Sequence, residues 1–301
     1  MERRPQPVSG VDLETQSVLT GELFRPLSHE LVALLRTLPR GAWDAPTSAG
    51  DWRVGDVAAH LLDGDLRRIS VARDGHHPPP PPGSIERHDD LVLWLDALNR
   101  GWVEAARRIS PALLTELLEL TGETLAELME DADPSAEALF PVAWAGQTRS
   151  PMWLDMGREY TERWHHQDQI REAVGEEPLR SRRWLRPVLD VSLLALPHAY
   201  REVEAARGER IALEVRGSAG GSWTLERAER WRLLAGPASE RACRVETGDL
   251  ELARLLLHRL RPPEAAAALS VSGREELARP LLEARAVMVP HVDLDRPAST
   301  S

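Results

Sequence analysis

Side chains that can bind a metal ion are concentrated in residues 158–175, REYTERWHHQDQIREAVG. Within this segment Glu162 and His166 are four residues apart, and residues at that spacing share one face of an α-helix, so the pair could hold one ion. His165 is rotated by roughly 100° from His166 about the helix axis and is a rival ligand three residues after Glu162. A Glu and a His at this spacing are also common on solvated surfaces. The segment alone leaves both interpretations open.

A third candidate ligand, His60, lies about a hundred residues earlier in the apolar segment DVAAHLLDGD. The simpler interpretation is a core or boundary histidine that hydrogen-bonds to Asp56, one turn back. Helices of a bundle can instead bring ligands from two helices to a common point. His60 with Glu162 and His166 would then supply two imidazoles and a carboxylate. That set suits zinc or another divalent transition metal and leaves coordination positions open, as catalytic sites do.

Helical periodicity of apolar residues dominates the first two thirds of the chain. It predicts helical segments over residues 11–38, 51–75, 85–110, 111–132, 151–174 and 182–205. We expect Gly122 to break the fourth of these segments, and Pro187 and Pro197 to interrupt the last. The proposed ligands therefore lie on two long helices of a bundle.

Short segments with strand character follow, separated by turns that contain glycine: RIALEVRG, GSWTLER, RWRLLAG and ACRVETGD, with a later strand at ALSVSG. They predict a small antiparallel sheet, accompanied by helices. The expected fold class is α+β: an up-down helical bundle followed by a small C-terminal α+β domain. The predicted organisation is a flexible lead (1–12), the bundle (13–205), the small domain (206–291) and a tail (292–301).

Composition excludes several kinds of chemistry. The net charge of −11 argues against nucleic acid or an anionic membrane as a partner, and we expect a cytoplasmic protein because no apolar run suits a signal peptide or a membrane span. All 37 basic residues are Arg, so a Schiff base on lysine is excluded. The one cysteine, Cys243, excludes internal disulfides and multi-cysteine metal sites, and its context indicates a small buried residue in a strand.

Three stretches resemble a known family. GDWRVGDVAAHL resembles the second-helix signature of the DinB-like superfamily, and REYTERWHHQDQIREAVG resembles the fourth-helix signature of its mycothiol-dependent maleylpyruvate isomerase branch. VETGDLELARLLLHRL with ALSVSGREELARPLL resembles the small α+β domain of the same family. The resemblance covers residues 11–289 and implies a DinB-like four-helix bundle as the N-terminal domain.

The resemblance also implies a site. Carried over residue by residue, the metal ligands are His60, Glu162 and His166. Many relatives have Asp three residues after the ligand His, where this chain has Gln169. The family uses an Arg of the small domain on its substrate, and Arg259 in LLLHRLR is our candidate for that catalytic role; a solvated helix arginine is the alternative.

The implied activity is isomerisation or transfer with an external thiol. In the family, mycothiol loses its proton at a divalent metal, here expected to be zinc, adds to a conjugated alkene of the substrate, and is eliminated after bond rotation. The partners are therefore a small-molecule substrate and the thiol, and a homodimer stays open. Two alternatives compete: a non-enzymatic metal-carrying module for binding or stress, and a metal-dependent hydrolase with Glu159 as base.

Overall fold

The computed structural model describes residues 10–81, 83, 88–238 and 241–288. Its α-helices are α1 (Phe24–Thr37), α2 (Val54–Ala72), α3 (His88–Ala106), α4 (Pro111–Asp131), α5 (Met152–Val174), α6 (Arg182–Ser192), α7 (Ala195–Ala199), α8 (Asp249–Leu256), α9 (Pro262–Ala267) and α10 (Arg279–Glu283). Its strands are β1 (Arg210–Arg216), β2 (Gly221–Arg227), β3 (Trp231–Ala235), β4 (Cys243–Gly248) and β5 (Ser270–Gly273). Residues 1–9 of the predicted lead, residues 289–291 and the predicted tail lie outside this description.

Helices α1, α2, α4 and α5 pack together as a bundle, and α3 packs beside α2. The apolar stripe of α2 explains its place, because Val54, Val57 and Ala58 are completely buried. Both helices that carry the proposed ligands occur where periodicity predicted them. The predicted α+β fold class, with a helical domain followed by a small domain containing a sheet, is confirmed.

The start of the bundle differs from the prediction. The first α-helix begins at Phe24 rather than near Val11, and Leu19, which continued the predicted periodicity, is 68% exposed. The residues before α1 are paired with the sheet: the Val11 carbonyl accepts a hydrogen bond from the Ala235 amide at 2.9 Å, and Asp12 forms a β-bridge with Leu234. This segment therefore pairs with strand β3, whose outer edge would otherwise present unpaired backbone groups.

The helix breaks predicted at Gly122, Pro187 and Pro197 are all absent. Helix α4 runs unbroken through Gly122, where an added Cβ would lie 2.1 Å from Ser28 Oγ of α1. The glycine therefore permits close packing of α1 on α4 instead of ending a helix. Pro187 lies inside α6, which continues to Ser192, and Pro197 lies in the first turn of α7, where proline is tolerated. The actual break falls at residues 193–194.

The sheet has the strand order β3-β2-β1-β4-β5. Three neighbouring pairs are antiparallel, as predicted, but β1 and β4 are parallel, with Leu213 opposite Val245. The parallel pair arises because the chain returns across the sheet after β3 and adds β4 beside β1. Strand periodicity gives no information about this crossover, so the sheet is mixed where an antiparallel one was expected.

One apolar core continues from the bundle into the sheet. It includes α5 and α6 as well as the completely buried Trp223 of β2. The Tyr200 hydroxyl donates to the Leu277 carbonyl at 2.6 Å, which ties the end of the helical part to the small domain. The proposed boundary at residues 205–206 falls in the connection between Ala199 and Arg210. None of the described helices is both long and apolar enough to cross a membrane.

Close packing of α5 on α6 at Gly157 leads to a stability prediction. An added Cβ at Gly157 would lie 2.6 Å from Val191 Cγ2, whereas one at Gly64 in α2 would meet nothing within 4 Å. We expect Gly157→Ala to lower the free energy of unfolding by about 2 kcal/mol through overpacking. Gly64→Ala, the matched control, is expected to raise it by about 0.5–1 kcal/mol through helix propensity. Urea unfolding measures both, and equal effects would contradict the packing argument.

Candidate metal centre

Helices α2 and α5 bring His60, Glu162 and His166 together. One possible ligand atom from each residue lies within 4.8 Å of the others. The two imidazoles approach the same carboxylate oxygen: Glu162 Oε1 lies 3.0 Å from His166 Nε2 and 3.5 Å from His60 Nε2. Both histidines are buried, and their rings meet edge to face at 4.7 Å. Two nitrogens and one oxygen therefore converge on one point, a geometry that suits a cation.

Gln169 orients the His166 ring. His166 Nδ1 lies 2.7 Å from Gln169 Oε1, one turn further along α5. An amide oxygen only accepts, so Nδ1 carries the proton and donates it, which leaves the Nε2 lone pair directed at Glu162. A lone pair facing a carboxylate oxygen at 3.0 Å is unfavourable unless a proton or a cation lies between them. Hydrogen bonds of this kind behind a ligating histidine fix its tautomer in metal sites. Sequence analysis noted Gln169 only as a departure from relatives and missed this role.

His60 is not the partner of Asp56, so that alternative is wrong. The Asp56 carboxylate accepts from the Arg53 amide at 3.1 Å and from Arg107 Nε at 2.9 Å. His60 Nδ1 has no hydrogen-bond partner among the described residues, and the ring packs against Trp52 with the ring centres 5.0 Å apart. The Nε2 atom that faces Glu162 is therefore the atom of this ring best placed to bind an ion.

The protonation states also suit an ion. Burial lowers the pKa of His60 below its ordinary value, and the nearby Glu162 carboxylate only partly offsets this. Desolvation would raise the pKa of Glu162, but His166 and then His60 hold that pKa well below its usual range. A neutral imidazole and an ionised carboxylate are the forms that bind metals.

His165, the rival ligand, lies outside the converging group. Its ring centre is 5.0 Å from that of His166, on the neighbouring stripe of α5. Burial, followed by a smaller effect of neighbouring His166, places the pKa of His165 well below the ordinary value, so the ring is neutral. The geometry thus groups His166, and not His165, with His60 and Glu162. The choice between the two histidines as ligand remains a prediction.

A buried charged network that sequence analysis did not find holds α2 against α5. Arg68 of α2 donates to both oxygens of Asp155, at 2.8 and 3.0 Å, and lies 3.1 Å from Glu159 Oε1. Arg163 of α5 forms an ion pair with Asp65 of α2, whose side chain is buried. Asp65 pairs with Arg163, whereas the later α2 residue Arg68 pairs with the earlier α5 residue Asp155, so the two helices are antiparallel here. The available signal was the presence of charged residues on the apolar helix α2.

A cavity of about 900 Å³ opens beside the converging ligands. Its walls come from α2, α3 and α5, together with the residues that follow α8 and residues 286–288 of the small domain. The candidate ligands therefore lie on one wall of an open cleft between the two parts of the molecule. A small molecule could reach the open side of a bound ion from this space.

Arg259 lies at the boundary between the bundle and the small domain. Its side chain is 2% exposed, so the alternative of a solvated helix arginine is wrong, and it follows α8 instead of lying within it. The guanidinium pairs with Asp168 and, at 2.5 Å, with Glu172, and Arg254 Nε also donates to Asp168 at 3.1 Å. Arg259 also lines the cavity. Its observed contacts tie the small domain to α5, and its catalytic role remains a prediction.

Together, the antiparallel helices with a converging His/Glu/His set and a small α+β domain beside the cavity define a two-domain protein with a candidate metal centre at the domain boundary. The family model described as the mycothiol maleylpyruvate isomerase N-terminal domain matches residues 24–171. This range begins with α1 and contains all three candidate ligands. The helical domain over residues 24–171 therefore belongs to the mycothiol maleylpyruvate isomerase family.

Solved structures agree on the fold. A crystal structure of the mycothiol-dependent maleylpyruvate isomerase matches with a TM-score of 0.52 and 11% sequence identity, covering 87% of this chain and 95% of the other. A histidine-to-alanine mutant of that isomerase matches with the same values. At this identity the likeness shows the fold alone. No curated protein matches the chain.

The network beside the site predicts a pH-dependent contribution to stability. Burial would raise the pKa of Glu159, but Arg68, Arg158 and Arg163 lower it to about 2. Because the folded-state pKa lies below the unfolded one, this contribution is complete above the unfolded pKa of about 4.3 and is lost as the pH falls toward 2. We expect Glu159→Gln to cost about 2 kcal/mol at pH 7 and progressively less below pH 4.5 or so, measured by urea unfolding across pH.

Glu137→Gln is the control for this series, since Glu137 pairs with Arg149 on the surface. We expect this substitution to change stability little at any pH. If the loss of unfolding free energy caused by Glu159→Gln stays constant from pH 7 to the acid limit, the low pKa assigned to Glu159 is wrong.

Proposed function

We propose that this protein is a cytoplasmic, metal-dependent enzyme that uses a low-molecular-weight thiol, mycothiol. It would either isomerise an electrophilic small molecule or transfer the thiol to it. The observation that carries the proposal is the approach of two Nε2 atoms to one oxygen of Glu162, beside a cavity of about 900 Å³. The names of the matched family and of the matched structures supply the thiol and the reaction class.

The residues present fit a divalent cation, and we expect zinc. His60, Glu162 and His166 would hold it through two nitrogens and one oxygen, the donor types that zinc takes in catalytic sites. The His166 ring is already oriented by Gln169 at 2.7 Å. A divalent cation at this point would lower the pKa of a thiol that reaches it, as it does for water.

The thiol would come from outside the chain. Cys243 lies buried in β4, and burial, with smaller effects of Glu276 and Glu275, raises its pKa to about 11. This side chain is therefore protonated and inaccessible at neutral pH. The bundle would hold the thiol sulfur near the His/Glu/His group, and the small domain would exclude water from the other side.

Arg259 is our proposed substrate-contacting residue. It lines the cavity, and its Nε atom is buried with no hydrogen-bond partner among the described residues. The carboxylates of Asp168 and Glu172 fix the rest of its guanidinium. A fixed cation with a spare donor would orient an anionic or carbonyl group of the substrate without first having to be ordered.

Both alternatives receive less support. A metal-carrying module needs no cavity beside its ligands, whereas here a large one opens beside them. A hydrolase that uses Glu159 as general base needs a carboxyl that takes up protons near neutral pH. Arginine neighbours instead hold the pKa of Glu159 at about 2, so it is a poor base for that role.

The ligand assignment predicts metal content. We expect the purified protein to contain about one divalent transition metal ion per chain, and His60→Ala and His166→Ala to lose it, because each removes one nitrogen from a three-residue set. Elemental analysis by mass spectrometry measures the content. Gln169→Leu should keep the site but weaken metal affinity by about 10–100-fold, since the His166 ring is no longer oriented.

His165→Ala is the matched control, because it removes the adjacent buried imidazole. We expect it to retain metal, and circular dichroism confirms folding of every variant. Full metal content in folded His60→Ala and His166→Ala would refute the site. Loss of metal only in His165→Ala would move the ligand to that residue.

The thiol assignment predicts a spectral response. In cobalt-substituted protein, mycothiol should change the visible absorption by bringing sulfur to the metal, and His166→Ala should abolish the change. Turnover should then be tested with maleylpyruvate, the substrate named for the matched structures, with and without mycothiol. If mycothiol, bacillithiol and glutathione all leave the spectrum unchanged, the thiol proposal fails. Turnover that needs no thiol would favour hydrolysis.

A further inference from the structure

His258 has an unusual backbone conformation at the edge of the cavity. It directly follows the C-cap of α8, and its φ of 57° is the only positive value at a non-glycine residue within the described ranges. The chain turns there so that the Arg259 amide donates to the Arg254 carbonyl at 2.8 Å, a helix ending that normally uses glycine. A side chain at this position strains the backbone, and such strain concentrates at functional sites.

The His258 side chain carries a buried nitrogen that no hydrogen bond within the described ranges explains. It lines the cavity, and its Nδ1 atom is buried without a hydrogen-bond partner among the described residues. Burial, with a smaller effect of Arg285, lowers the pKa of this ring, so it is neutral near pH 7. A neutral imidazole nitrogen can donate or accept, according to its tautomer.

A second buried polar atom of a residue that lines the cavity belongs to Thr161 of α5. It is 2% exposed, it lines the cavity, and its Oγ1 atom has no partner in the part of the chain that the structure describes. Thr161, His165 and Asp168 follow one stripe of α5 at spacings of four and three. Asp168 binds Arg259, the neighbour of His258, so this stripe faces the small domain. The stripe with Glu162 and His166 faces α2.

A third such atom is Trp144 Nε1, which is buried without a partner among the described residues and belongs to a residue that also lines the cavity. Buried donors and acceptors are nearly always paired in folded proteins, since an unpaired one destabilises the fold. The unpaired atoms of His258, Thr161 and Trp144 are among several on the described residues that line this cavity, and His258 is also the residue with the strained backbone. A bound ligand with several hydrogen-bonding groups would satisfy them.

We propose that His258 and Thr161, with Trp144, form a second subsite that hydrogen-bonds the hydroxyl and amide groups of the thiol cofactor. This inference rests on the proposed function, in which the sulfur lies at the His/Glu/His group. The subsite atoms carry no charge, so they suit the neutral polyhydroxylated body of a sugar-containing thiol. A cavity of about 900 Å³ has room for such a molecule as well as a small substrate.

The test is calorimetric titration of mycothiol into the zinc-loaded full chain, for wild type, His258→Gly and Thr161→Val. We expect each variant to raise the Kd about tenfold, the effect of one lost hydrogen bond. The Tm of the ligand-free variants should stay the same or rise, because glycine relieves the positive φ and valine removes an unpaired hydroxyl. A purely structural role predicts the reverse: a lower Tm and an unchanged Kd.

His258→Asn is the conservative control. Asparagine tolerates positive φ and carries a polar atom close to the position of Nδ1, so we expect a Kd within about threefold of wild type. Ethanethiol, which has sulfur but no polar body, should bind wild type and variants alike.

The outcomes separate the two proposals. If mycothiol binds wild type, His258→Gly and Thr161→Val with equal Kd, the subsite is overturned and the metal and thiol proposal stands. If zinc-loaded wild type gives no heat with mycothiol, the thiol assignment is overturned and the subsite with it. A lower Tm for His258→Gly would overturn the strain argument, and Thr161→Val would still decide the subsite.

Discussion

The antiparallel pairing of α2 with α5 is the constraint on which the candidate site depends. His60 meets Glu162 only if the two helices keep one register, since a shift of one turn moves a ligand by about 5.4 Å. Apolar packing tolerates such shifts better than directional ion pairs do. The contacts of Arg68 with Asp155 and of Arg163 with Asp65 are therefore best understood as fixing register. Buried ion pairs add little net stability, but they penalise every arrangement that separates them.

Helix α5 serves two partners through two neighbouring stripes. One stripe faces α2 and carries Glu162 and His166; the other faces the small domain and carries Asp168, which binds two arginines of that domain. The position of the small domain is thus fixed relative to the same helix that positions the ligands. Because both the candidate ligands and the small domain are held on α5, the distance from the candidate metal centre to the residues after α8 is set by the fold.

Much of this was predictable from sequence, and the exceptions have physical causes. Spacing and residue type identified His60, Glu162 and His166 as a possible group, because helix geometry converts sequence separation into direction. Gln169 and the Arg68 network were missed because their meaning depends on a partner that periodicity does not identify. Gly122 was misinterpreted for a related reason. The sequence shows only a flexible residue, and the proximity of Ser28 is needed to show that the missing side chain makes room for α1 against α4. The parallel β1–β4 pair depends on a crossover that no single strand encodes.

Charge at the centre follows from the residue types that surround it. One carboxylate, Glu162, neutralises only half the charge of a divalent cation, and the two imidazoles are neutral, so the assembled centre would keep a net positive charge toward the cavity. Gln169 preserves that charge, because it orients His166 at 2.7 Å through an amide oxygen. An aspartate at this position would orient the ring equally well but add a negative charge next to the candidate ligands. Since a more positive centre favours an anion over its neutral acid, the glutamine would favour a thiolate over a thiol at the proposed centre.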